Sequence, residues 1–145
     1  MLQSLFPFLL TLLILLALFF IWRINARKYI TSSNVASAYD AWTQDKLLER
    51  LWGEHIHLGF YSEGKKHSDF RMAKVKFVHE LVKWSGLDKL PKGSKILDVG
   101  CGIGGSSRIL AKYYGFNVTG ITISPAQVKR ARELTPYGLN CDFQV

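Results

Sequence analysis

The sequence has 145 residues, with 19 lysines and arginines against 11 aspartates and glutamates, for a formal net charge of +8. That length excludes a large multidomain protein, and the cations are scattered among acids, with no basic face interleaved with aromatics. This argues against a nucleic-acid-binding protein and for a solvated surface beside an anionic membrane.

In chain order, the run Leu5 to Trp22 carries no charged side chain. At about 1.5 Å per residue it is long enough to read as a transmembrane helix, so residues 1–22 are expected to be an anchor. Pro7 falls in the first turn, where a missing N–H costs little. Trp22 sits where an interfacial aromatic would, and Arg23, Arg27 and Lys28 follow. By the positive-inside rule, the protein reads as single-pass with the remaining chain on the cytoplasmic side. A cleaved signal peptide fits less well. The basic n-region is missing, and Ala36-Ser37-Ala38 lies too far from the apolar run. Residues 23–38 read as a linker, small and polar from Tyr29 onward.

Residues 39–93 read as a helical cap or lid. Tyr39, Trp42, Leu47, Leu48 and Leu51 have helical spacing, and Gly53 ends that helix. A loop follows, "GEHIHLGFYSEGKKHS". A second helix, about 69–85, has Ser68 or Asp69 as its cap and an apolar stripe of Phe70, Phe77, Val78, Leu81 and Val82. Gly86 stops it. Cys101 and Cys141 have no metal-like spacing and are expected to be reduced.

From residue 94 the style changes. "KILDVG" reads as a buried strand. Gly104 to Tyr114 reads as a helix with Ile109, Leu110 and Tyr113 inward, ended by Gly115. "FNVTGITI" is a second strand. Ser124-Pro125 is an N-cap with proline at the first helical position, opening a helix halted by Pro136. "LNCDFQV" opens a third strand. The β-α-β-α-β order predicts an α/β fold with a parallel, doubly wound, Rossmann-like sheet. A parallel sheet this small would expose an edge, so the sequence reads as part of a longer chain.

Gly100, Gly102 and Gly105 literally spell G-x-G-x-x-G, the pattern of a pyrophosphate-binding turn. Asp98, two residues before it, decides against that ligand. A carboxylate at the strand end would repel a pyrophosphate and suits a ligand carrying an ammonium and a sulfonium. A dinucleotide site also wants an acid about twenty residues on, where Thr122 stands. Threonine cannot grip two ribose hydroxyls as a carboxylate does.

"LDVGCGIGG" resembles the first motif of class I S-adenosylmethionine-dependent methyltransferases. The resemblance implies that the loop Asp98, Gly100, Cys101, Gly102 and Gly104 binds the methionine end of S-adenosylmethionine. It places Thr122 and Ile123 at the ribose and adenine, although many members are acidic at position 122. Upstream, "AYDAWTQDKLLERLWGEHIHLGFY" extends the resemblance to the prenyl-benzoquinol methyltransferases and their tocopherol-methylating kin. This implies methyl transfer to a ring carbon of a membrane-resident prenylated quinol, in plastoquinone and vitamin E synthesis. A tocopherol or sterol acceptor is the nearest alternative. A catalytically dead, membrane-tethered binding module is another, and a nicotinamide dehydrogenase comes last.

Glu54, His55 and His57 in the loop are candidate acceptors for the quinol proton, since imidazole titrates near neutrality. They also read as lid residues held by local hydrogen bonds, the two histidines pointing to opposite sides if the segment is extended. No further ligand follows at metal-binding spacing, so no metal is expected. Tyr39 is a minor cofactor candidate through its ring face. Lys65 and Lys66 read as solvated loop charges, and His67 and His79 as surface or core-edge groups.

Overall fold

The computed structural model describes residues 2–25, 32–61 and 69–145. It divides into two compact units, Met1–Ala38 and Tyr39–Val145.

In the first unit, helix α1 runs Leu2–Asn25. Its side chains are described over 7–23, and its large apolar residues there are exposed. At about 1.5 Å per residue that stretch covers about 25 Å, less than a hydrocarbon core of about 30 Å. Among the described residues no helix is long and apolar enough to cross a membrane. This corrects the expected transmembrane anchor, and the single-pass, cytoplasm-facing placement built on it falls too. Arg27 and Lys28 lie outside the described residues. Helix α2 already begins at Ser32, within the stretch read as linker, and runs to Gln44.

In the second unit, the helix expected to run unbroken to Leu51 is interrupted. Asp45 Oδ1 accepts the Leu47 N–H at 3.0 Å. Lys46 takes a left-handed backbone, φ 53°, so α3, Leu47–Trp52, starts afresh. Such short side-chain-to-backbone bonds compete with helix continuation. Gly53, φ 87°, closes α3 by donating its N–H to Glu49 O. Helix α4, Phe70–Ser85, is capped by Asp69, whose side chain accepts the Arg71 N–H, and ends at left-handed Gly86. A short 3-10 turn, Leu87–Lys89, follows.

The sheet contains β1 (Lys95–Val99), β2 (Asn117–Ile121) and β3 (Cys141–Gln144), all parallel, in the order β1-β2-β3. Asp98 pairs in register with Gly120, and Gly120 with Phe143. Helix α5, Gly105–Tyr114, joins the first pair of strands, and α6, Pro125–Leu134, joins the second. Ser124 caps α6 by accepting the Gln127 N–H. One core cluster joins Val82, Leu110, Ala111, Phe116 and Val118; another joins Cys101, Val128, Ala131 and Phe143. The expected α/β order and parallel pairing are therefore present.

Two expected apolar faces are rotated. Tyr113 is exposed rather than inward, and Ser107 and Arg108 are buried instead. On α4 Phe70, Phe77 and Leu81 are exposed, while Ala73 and Lys74 are buried beside Val78 and Val82. A buried charge is tolerated only where it is hydrogen-bonded, and both cations have such partners, described below.

Candidate functional site

A cleft of about 610 Å³ lies against the tips of β1 and β2. Asp98 is the penultimate residue of β1 and lines this cleft with the loop that follows. The N–H groups of Gly100 and Cys101 both donate to Ile121 O, at 2.8 and 3.0 Å, tying the loop to the next strand. Gly100 and Gly102 have φ of 76° and 56°, and a Cβ on either would meet open space. The glycines therefore allow a backbone course that other residues strain to adopt and leave the loop accessible.

Gly104 behaves differently. It is absent from the cleft lining. A Cβ there would lie 2.6 Å from the Phe143 ring and 2.9 Å from the Arg108 guanidinium. Its smallness serves packing at the start of α5. Cys101 lines the cleft, but burial, and next the Asp98 carboxylate, push its thiol up to about 11. It remains protonated at neutral pH.

Thr122 Oγ1 donates to Gln127 Oε1 at 2.6 Å, so its hydrogen is already committed. Ile123 is exposed and offers an apolar surface beside it. The opposite wall comes from Tyr39, Trp42 and the segment 53–57. The rings of Tyr39 and Trp42 meet edge to face, centroids 5.3 Å apart. Asp40 holds this wall to α6, accepting hydrogen bonds from Ser124 Oγ and from the Ala126 N–H. Glu49 holds it a second time through Arg130, at 2.6 Å.

The histidines do not diverge as an extended segment would require. Their rings sit 5.0 Å apart, and His57 Nε2 lies 3.2 Å from His55 Nδ1. His57 Nδ1 lies 2.8 Å from Leu58 O. A carbonyl only accepts, so His57 Nδ1 carries the hydrogen. In the neutral pair His57 Nε2 then accepts from His55 Nδ1–H, leaving His55 Nε2 as the bare nitrogen. Burial, reinforced by the neighbouring His57, lowers His55 from 6.5 to about 4.

Three groups seat this segment. Lys74 Nζ donates to Trp52 O and His55 O, at 2.9 and 2.8 Å, and lies 4.3 Å from the centre of the Trp52 ring. Arg108 donates to Glu54 Oε2 at 2.6 Å and also to Ile103 O. Gly105 leaves room for the imidazole, since a Cβ there would stand 2.8 Å from His55 Cε1 and 2.9 Å from Glu54 O. The third glycine of the G-x-G-x-x-G pattern thus makes space for a histidine loop.

The structure brings Glu54, His55, His57, Asp98, Gly100, Cys101, Gly102, Thr122 and Ile123 to one cleft, with Tyr39. His79 stands apart, bonded to the Tyr114 hydroxyl at 2.7 Å. Lys65, Lys66 and His67 lie outside the described residues. Among the described residues no group of three His, Cys, Asp or Glu side chains could hold a metal ion. Sequence reasoning missed Asp40, Lys74, Ser107, Arg108 and Gln127. Only Gly105 carried a signal, because it completed a motif that was weighed for a different ligand.

A strand-end carboxylate beside an open glycine loop, with apolar Val99, Ile103 and Ile123 nearby, fits a ligand with a cationic end and a flat apolar end. Residues 96–145 match the family described as a methyltransferase domain. Over that stretch the chain is similar to a methyltransferase domain. It is 59% identical over 125 residues to the 2-methyl-6-phytyl-1,4-hydroquinone methyltransferase of Synechocystis sp., which covers 86% of this chain and 39% of that relative. It is 41% identical over 95 residues to the chloroplastic tocopherol O-methyltransferase of Arabidopsis thaliana, covering 61% of this chain and 27% of that one. Among solved structures, the magnesium protoporphyrin IX methyltransferase of Synechocystis, with bound S-adenosylhomocysteine, superposes with a TM-score of 0.54 at 28% identity, over 77% of this chain and 49% of that one. The chain therefore spans about two-fifths of the length of its 59%-identical curated relative. The strand-tip wall, 98–102 with 121–123, falls within the matched residues, and the histidine wall lies upstream of them.

Proposed function

We propose that this chain supplies the cofactor-binding part of an S-adenosylmethionine-dependent methyltransferase acting on a ring carbon of a prenylated benzoquinol. One observation carries the proposal: Asp98 and the open glycine loop share a cleft with an imidazole pair, in a chain 59% identical to a phytyl-hydroquinone methyltransferase. When bound, S-adenosylmethionine supplies a methyl group already activated on a sulfonium. Asp98 receives the ammonium of its methionine end, and the backbone at Gly100, Cys101 and Gly102 follows that chain. Ile123 packs on the adenine, and Thr122 stands beside the ribose. Gly104 supports this loop through packing rather than contact.

Methylating a quinol ring carbon displaces a proton. Glu54 is a poor candidate to take it, because its carboxylate is paired with Arg108. His55 alone is a weak base at pH 7, since it titrates near 4. Acting together, the histidines do better. A proton arriving at His55 Nε2 is matched by passage of the Nδ1 hydrogen to His57 Nε2, and His57 keeps its bond to Leu58 O. Trp42, Leu48 and Ile56 line the same cleft and suit an apolar prenyl substrate.

The test is methyl transfer from isotopically labelled S-adenosylmethionine by the full-length protein. The acceptors would be 2-methyl-6-phytyl-hydroquinone and a tocopherol, assayed separately. Label on a ring carbon of the hydroquinone is expected. Label on tocopherol alone, or on neither, overturns the acceptor assignment.

A further inference from the structure

Ser107 lies in the first turn of α5, is 0% exposed and does not line the cleft. Its Oγ donates to Asp98 Oδ2 at 2.6 Å. We infer that Ser107 is a positioning residue that fixes the Asp98 carboxylate, so that its other oxygen is presented to a ligand ammonium in the cleft. This rests on the cofactor assignment above and deepens it.

A carboxylate turns easily about its last torsion, which has a broad profile. A charge-assisted bond to one oxygen removes that freedom. Ser107 suits the task because α5 itself is fixed. Gly104 sets its start against Phe143, the Arg108 guanidinium bonds to Ile103 O and Ala131 O, and the Ser107 carbonyl accepts the Cys141 thiol at 3.4 Å. A fully buried hydroxyl also needs a partner, and Asp98 is the acceptor it has. The alignment is therefore built from the protein side, with the cleft side of Asp98 left for ligand.

The experiment compares two ligands on the full-length protein and on S107A by calorimetry. S-adenosylhomocysteine carries the ammonium; 5′-methylthioadenosine has the same nucleoside and thioether without the amino-acid chain. S107A is expected to weaken S-adenosylhomocysteine about tenfold, the size of one bond to a charged group, and to leave methylthioadenosine unchanged. In a D98N background the same substitution should add less than about twofold, because the two residues form one unit. Equal weakening of both ligands would make Ser107 a packing residue and overturn the inference. So would no weakening of either. If S107A folds poorly, S107C keeps the volume with a weaker donor and must show the same ligand discrimination. A wild-type protein that binds neither ligand would overturn the cofactor assignment itself, a result distinct from wild-type binding with no selective loss in S107A.

Discussion

The two walls of the cleft are built on different principles. The strand-tip wall, 98–102 with 121–123, presents one carboxylate and a length of backbone held open by glycines at positive φ. The wall opposite, 39–57, presents side chains held by long-range contacts: Asp40 to α6, Glu49 to Arg130, Glu54 to Arg108, and Lys74 under the turn before His55. Backbone geometry is set by local sequence, so the first wall needs few partners. The second exists only because residues far apart in the chain meet. Damage to the first should therefore spare folding and impair binding, while damage to the supports of the second should reach stability.

The largest effect tests the junction between the walls. Gly104→Val places a side chain into Phe143, which is 0% exposed. It should cost roughly 3–5 kcal/mol in denaturant unfolding. Arg108→Met leaves Glu54 unpaired and takes a donor from the carbonyls of Ile103 and Ala131, of which Ala131 keeps the Thr135 hydroxyl. Because Glu54 is half exposed, the expected loss is about 2–3 kcal/mol. A loss below about 0.5 kcal/mol would mean that the histidine wall is not held by this pair.

The His55 imidazole predicts a pH dependence with a definite sign. Its folded value, about 4, lies below the ordinary 6.5. Between those values the unfolded chain binds more protons than the folded one. Stability is then fully present above about pH 6.5 and falls as the pH drops toward 4, by about 2–3 kcal/mol from this residue. His55→Gln should flatten that part of the profile of unfolding free energy against pH. An unchanged slope would show that the imidazole is not buried as a neutral group.

The smallest stability effect belongs to the strand-tip wall. Gly102→Ala meets no atom within 4 Å and should cost only about 1 kcal/mol, from its positive φ. S-adenosylhomocysteine affinity should nonetheless fall several-fold, since the new methyl group projects from the lining of the open cleft. Gly105→Ala is the contrasting control. Its methyl strikes His55 and Glu54 O, so it should disturb the histidine wall and be the more destabilising of the two.

Much of this contrast was legible beforehand. Ser124-Pro125, Gly86, Gly115 and the "ILDVG" strand are local signals, and each element formed where those signals put it, although the strand expected to be buried leaves Leu97 and Val99 exposed. Asp98 before the glycines argued by charge against a pyrophosphate, Thr122 argued against a dinucleotide ribose, and the motif resemblance supplied the cofactor class. The apolar N-terminal run was legible as a helix, but the membrane-spanning reading failed because no described helix is long and apolar enough. The single helix expected through Leu51 failed at Lys46, where the Asp45 side chain bonds the Leu47 backbone.

By itself, then, the sequence determined the order of strands and helices, the strand-end acid and the glycine loop, because these depend on neighbours within a few residues. Only the tertiary structure decided that Lys74 and Arg108 are buried, that Gly104 and Gly105 serve packing, that Ser107 backs Asp98 and that His55 meets His57. Each of these depends on a partner supplied by another element, or by a loop's bend. A charged side chain in a sequence says nothing of whether a carbonyl or a carboxylate will be waiting where the fold carries it.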